Sequence, residues 1–190
     1  MSEDELSQTA LSEAFERTAE VLAPCGASYA LIGGFAVAFH GIPRPTRDID
    51  ILCAFPQVSL PGILEKFLAR GFTLQPQDVI RELREDHLSR VHYRRVRVDL
   101  LDAVVPVFKR TVERAREEEI RGRRVRVASP EDLIALKIIA GRDDDLRDVR
   151  GILATQGGRL DLAEVRRSLK ECCDQGRIDG FERLVREARG

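Results

Sequence analysis

The segment Asp48-Ile49-Asp50-Ile51-Leu52 constrains the fold most, because acid and aliphatic residues alternate at the period of a half-buried strand. In a strand, residues i and i+2 face the same way, roughly 6.5–7 Å apart. Ile49 and Ile51 then face a core, and Asp48 and Asp50 stand side by side on the opposite face. Two carboxylates so placed repel each other. Either both are solvated at a strand's edge, or a hard divalent cation sits between them. Mg²⁺ suits the second case, since it takes one or two carboxylates together with substrate phosphates.

The flanking residues sharpen the choice. Ser28 to Ile32 reads as a short buried strand, and Gly33-Gly34 turns it into a small-residue helix from Phe35 to His40. Such a turn is either merely tight or a phosphate cradle, with free N–H groups and close backbone approach at glycine. Ile42-Pro43-Arg44-Pro45 is a stiff link, because each proline restrains the residue before it. Further on, in Arg95-Val96-Arg97-Val98-Asp99-Leu100, the valines and Leu100 share one face and Arg95, Arg97 and Asp99 the other. Asp99 either pairs with its arginine neighbours or serves as a third metal ligand or general base.

The remaining pattern predicts an α/β chain with a mixed α+β sheet. A first amphipathic helix covers residues 5–23, a helix runs from Gly62 to Arg70, and Gly71–Leu74 reads as a strand. Two hairpins are expected, His87–Tyr93 with Arg95–Leu101 and Glu117–Ile120 with Arg124–Ala128, with a helix from Val105 to Ala115 between them. Ser129-Pro130-Glu131-Asp132 is a helix start with an N-cap serine, a proline and first-turn acids. From there the chain reads as helical, broken at Gly141, Gly157-Gly158 and Gly176. The expected division is a core over residues 1–128 and a helical tail over 129–190.

Charge and composition exclude several classes. The net charge is -1, so a uniformly basic nucleic-acid coat is excluded, although residues 81–126 alone carry +5. Bases are 27 arginines and 4 lysines. No apolar run reaches the roughly 18 residues of a membrane span. Cys25, Cys53, Cys172 and Cys173 fit no zinc spacing, and the acidic start Met1-Ser2-Glu3-Asp4-Glu5 is unlike a secretory signal. A cytoplasmic protein with reduced thiols is expected.

Residues 31–53, with Gly33-Gly34 and Asp48-Ile49-Asp50, followed by Asp99 on a later strand, resemble the nucleotidyltransferase (polymerase-beta-like) superfamily. A second block, Ser129 to Asp148, is similar to the AbiEii-type abortive-infection nucleotidyltransferase toxins and their short relatives, with Lys137, Arg142, Asp145 and Asp148 in the matching positions. The pattern departs at Asp144, where a basic residue usually stands, leaving Arg142 to serve alone. Lys137 sits in an apolar run, so it snorkels, pairs with Asp145 or Asp148, or reaches a triphosphate.

The resemblance implies a nucleotidyltransferase core with a C-terminal helical tail. It implies two Mg²⁺ ions held by Asp48, Asp50 and Asp99, and catalysis by these three with Lys137. It places an NTP against Gly33, Gly34, Arg44, Thr46, Arg47, Arg97, Lys137, Arg142 and Asp148. The expected reaction moves a nucleoside monophosphate to an acceptor, RNA or protein, with pyrophosphate leaving, in a toxin–antitoxin or phage-defence setting with a cognate partner protein. The alternative is a nucleotide-binding or antitoxin-like module of the same fold without turnover. If the arginines of both hairpins (Arg95, Arg97, Arg121, Arg123, Arg124 and Arg126) ring the site together with Arg44 and Arg47, the acceptor is anionic or RNA-like.

Overall fold

The computed structural model describes residues 3–25, 28–42 and 45–189. Helix α1 (Glu3–Leu22) leads to strand β1 (Ser28–Ile32), and helix α2 (Gly33–Phe39) follows without a spacer. Strand β2 (Asp48–Ala54) precedes helices α3 (Leu60–Ala69) and α4 (Pro76–Glu85). Strands β3 (Leu88–Tyr93) and β4 (Val96–Asp102) form a hairpin, and helix α5 (Pro106–Arg114) separates it from a second, β5 (Arg116–Ile120) and β6 (Arg123–Val127). Helices α6 (Pro130–Ala140), α7 (Asp143–Gln156), α8 (Leu162–Cys172) and α9 (Gln175–Arg189) complete the chain. No helix among the described residues is long and apolar enough to cross a membrane.

The six strands make one mixed sheet in the order β3-β4-β2-β1-β6-β5. β1 pairs antiparallel with β2, and β2 pairs parallel with β4. β1 and β6 are parallel, and the two hairpins are antiparallel. The arrangement places β2, the acid-bearing strand, in the middle of the sheet. Ile49, Ile51 and Leu52 are buried there, with Val98 and Leu100 of β4 beside them. α2 packs on β1 and β2, and α6 packs on α2, α7 and α8.

Several local signals act as expected. Ser129 Oγ accepts the Asp132 backbone N–H at the start of α6, and Gly141 ends the helix at φ 68°. Arg121 and Gly122 both have positive φ, as a two-residue hairpin turn of that hand requires. Three expectations need correction. Residues 71–74 form no strand: Thr73 alone bridges His92, with N–H···O distances of 2.7 and 3.2 Å. α4 was not expected, because its sequence is mostly polar. Its buried Val79 and Leu83 lie one turn apart, and Pro76 opens it. The last break falls at Cys173-Asp174, and Gly176 lies inside the first turn of α9.

Candidate active site

The parallel pairing of β2 with β4 sets the site. Asp50 is opposite Asp99 and Asp48 is opposite Arg97, so all four side chains share one face of the sheet. On the other flank of β2, Ile32 of β1 is opposite Asp50, and the chain turns into α2 at the next residue. That residue is Gly33, at φ +66°. A Cβ there would fall 1.8 Å from Asp50 Oδ2, so the carboxylate rests directly on the glycine backbone. A cleft of about 640 Å³ opens over these residues and is closed on its far side by Leu133, Lys137 and Arg142.

Burial, and then the charges of Asp48 and Asp99, push the Asp50 carboxyl up to about 6, against the pull of Lys137 and Arg97. Burial also raises Asp99, opposed by Arg97 and Arg90. Arg97 bridges the two strands. Its Nη2 meets Asp48 Oδ2, and its Nε lies 2.9 Å from Asp99 Oδ1. The second approach is off-line for a hydrogen bond, so buried Asp99 Oδ1 and Arg97 Nε both lack one. Among the described residues no three acidic, histidine or cysteine side chains converge as a ready-made metal cage. Arg97 instead occupies the space between Asp48 and Asp99 as their counter-ion.

Lys137 is buried and paired twice, 2.7 Å from Asp145 Oδ1 and 2.8 Å from Asp148 Oδ2. Arg142 Nε donates to Asp145 Oδ2 at 2.6 Å. Burial pushes Asp145 upward, but the hydrogen bonds from Arg142 and Lys137 outweigh it and hold the group below its ordinary value. Lys137, Arg142 and Asp145 line the cleft, whereas Asp148 grips Lys137 from behind. Thr46 Oγ1 donates to the Asp48 carbonyl at 3.1 Å and lies 3.3 Å from Asp48 Oδ1.

Other expected residues fall elsewhere. Arg44 lies outside the described residues. Arg47 lines a separate groove with Phe39 and Arg121. The expected ring of arginines does not form. Arg95 lies in the hairpin turn before β4. Arg121 and Arg123 bond Ser12 and Glu20, Arg124 bonds Glu117, and Arg126 bonds the Tyr29 and Val112 carbonyls. The cause is topological: β1 lies between β2 and β6, which sends the second hairpin to the far edge of the sheet. The cleft wall holds three bases, Arg97, Lys137 and Arg142, against six acids, Asp48, Asp50, Asp99, Asp143, Asp144 and Asp145.

The sequence reading missed Arg90 and His92, which pair across the ladder with Asp99 and Arg97. Their signal was the alternation of β3, where Ser89, Val91 and Tyr93 are buried and Arg90 and His92 exposed.

A family model described as nucleotidyl transferase AbiEii toxin, type IV TA system, matches residues 17–187. The chain belongs to the AbiEii nucleotidyltransferase toxin family. It is a nucleotidyltransferase. No curated protein matches it in sequence. Among solved structures, the antibiotic-resistance factor ANT(2'')-Ia is similar with a TM-score of 0.57 and 14% identity, over 95% of this chain and 99% of that one. JHP933 from Helicobacter pylori is similar with a TM-score of 0.52 and 18% identity, over 87% of this chain and 74% of that one. At such identities these likenesses bear on the AbiEii chain's fold alone.

Proposed function

We propose that the protein transfers a nucleoside monophosphate from an NTP to a hydroxyl of an acceptor, in a toxin–antitoxin setting with a cognate partner. The observation that carries this reading is the register pairing of Asp50 with Asp99, beside Asp48 and against the Gly33 backbone. Asp48, Asp50 and Asp99 offer the hard oxygen donors that Mg²⁺ takes, once Arg97 leaves the space it fills between Asp48 and Asp99. Three carboxylates share one face, one buried oxygen of Asp99 has no hydrogen bond, and Asp50 is raised by burial and like charge that a cation would relieve. Asp48, Asp50 and Asp99 would hold the ions, which when bound stabilise the attacking and leaving oxygens.

The chain's own residues account for the rest. The Gly33-Gly34 turn lets the triphosphate approach the backbone. Lys137 and Arg142 present positive charge from the α6–α7 corner, with Asp145 and Asp148 fixing the lysine. Residues 129–190 thus work as one unit with residues 1–128. Asp99 takes the acceptor hydroxyl proton as the new O–P bond forms at the α-phosphorus. The bond from that phosphorus to the β-phosphate bridging oxygen breaks, and pyrophosphate leaves with the electron pair. Arg97, released from Asp48 and Asp99, is free to contact phosphate oxygens.

The test is incubation with each α-labelled NTP, Mg²⁺ and total RNA, with pyrophosphate release followed in parallel. Label on RNA that is lost in Asp48→Asn and Asp99→Asn is the expected result. Metal-independent NTP binding with no label on any acceptor would favour a binding module.

A further inference from the structure

In-line displacement puts attacker and leaving group on opposite sides of the phosphorus. With the reading above, on which this inference rests, pyrophosphate departs on the side of Gly33-Gly34, Lys137 and Arg142. That side is the β1 flank of β2 and the α6–α7 corner. The acceptor hydroxyl must therefore arrive from the opposite flank, across β4. The next strand on that flank is β3, which forms the edge of the sheet.

The register fixes what β3 offers. Arg90 is opposite Asp99 and His92 is opposite Arg97, so both lie on the catalytic face. Both are exposed. Arg90 Nε is 3.8 Å from Asp99 Oδ1, near enough to flank that carboxylate without covering it. The two flanks differ in charge. Asp143, Asp144 and Asp145 lie on the α7 wall, whereas the β3 shoulder beyond Asp99 presents an arginine and a histidine.

We infer that Arg90 and His92 form an acceptor subsite for a phosphate group adjoining the attacking hydroxyl. The guanidinium can grip a phosphate in bidentate fashion while the hydroxyl lies against Asp99. A cationic acceptor is disfavoured at this shoulder. The shared chemistry is a hydroxyl with a neighbouring phosphate, which an RNA end or a free sugar phosphate could supply.

The experiment uses the full chain and the variant Arg90→Gln plus His92→Gln, whose changes fall on exposed positions. Binding of a fluorescent single-stranded RNA is measured by anisotropy over a salt series, with inorganic phosphate and glycerol phosphate as competitors, and transfer of label is measured separately. The subsite predicts RNA affinity about tenfold weaker in the variant and a log–log salt slope smaller by about 0.7, for one lost phosphate contact. Transfer to RNA should show a raised KM with NTP affinity retained. If RNA fails to bind but glycerol phosphate accepts label, and the double variant loses that, the subsite stands with the small source. Equal RNA binding and equal KM in both proteins would overturn it, as would labelling of an aminoglycoside equally by both. Should no NTP be consumed at all, the transferase reading fails, while the anisotropy series still decides whether Arg90 and His92 hold phosphate.

Discussion

Asp50 carries two opposed demands, and they can be separated by one substitution. A carboxyl whose folded value is raised binds its proton more tightly when folded than when unfolded. Its contribution to the stability of the metal-free protein is therefore fully present below the unfolded value, near 3.9, and is lost as pH rises through about 6. In Asp50→Asn this slope should vanish. At pH 7 in EDTA the variant should be more stable than the parent by on the order of 2–3 kcal/mol, although transfer is lost. Urea denaturation of both proteins across that range checks it, and parallel curves would refute the assignment. Arg97 makes the complementary prediction. It neutralises Asp48 and Asp99 in the metal-free site. Arg97→Gln should tighten Mn²⁺ binding, read by electron paramagnetic resonance, while weakening NTP binding. Unchanged Mn²⁺ affinity would mean that the arginine does not compete with the ions.

At the scale of elements, the buried pairs of Lys137 with Asp145 and Asp148 join α6 to α7. Removing one partner of a buried pair strands the other charge, at a cost of about 3–5 kcal/mol. Lys137→Met should show that loss in denaturant, and adding Asp145→Asn plus Asp148→Asn should return part of it, as a double-mutant cycle measures. If the lysine variant melts like the parent, the pairs do not hold the helices together. What could be read from sequence follows a similar division. Asp48 and Asp50 were legible because strand alternation is local, and the start of α6 because capping is local. The position of the second hairpin was not legible. Its arginines are near Asp99 in the chain, but the sheet order is decided by which distant strands pair, and β6 joins β1. α4 was overlooked for a different reason: its apolar residues are few, so a reading that looks for apolar runs passes over it, although Val79 and Leu83 keep helical spacing.

For the whole molecule, the proposed metal binding would act on global stability, because the three carboxylates lie on central strands rather than on loops. A ligand that binds only the folded state stabilises it by mass action, about 2.7 kcal/mol at one hundred times its dissociation constant. Mg²⁺ with NTP should accordingly raise the Tm of the parent, and the rise should disappear in Asp48→Asn. A rise that survives in that variant would place the ion elsewhere. At one edge of the sheet, β5 reads Arg116-Glu117-Glu118-Glu119-Ile120, and charge on a sheet edge discourages strand pairing between molecules.

The contact between Gly33 and Asp50 also bears on how such a chain can drift once selection on its activity relaxes. Any side chain at position 33 meets the Asp50 carboxylate and must adopt a left-handed backbone as well. Asp50, by contrast, can shrink to alanine or glycine with no such obstacle. Loss of function is thus a road with a set order: the aspartate goes first, and the glycine only afterwards. A degenerate copy that has lost the acid but kept the glycine records an early stage of decay, whereas one that has lost the glycine but kept the acid should not be encountered.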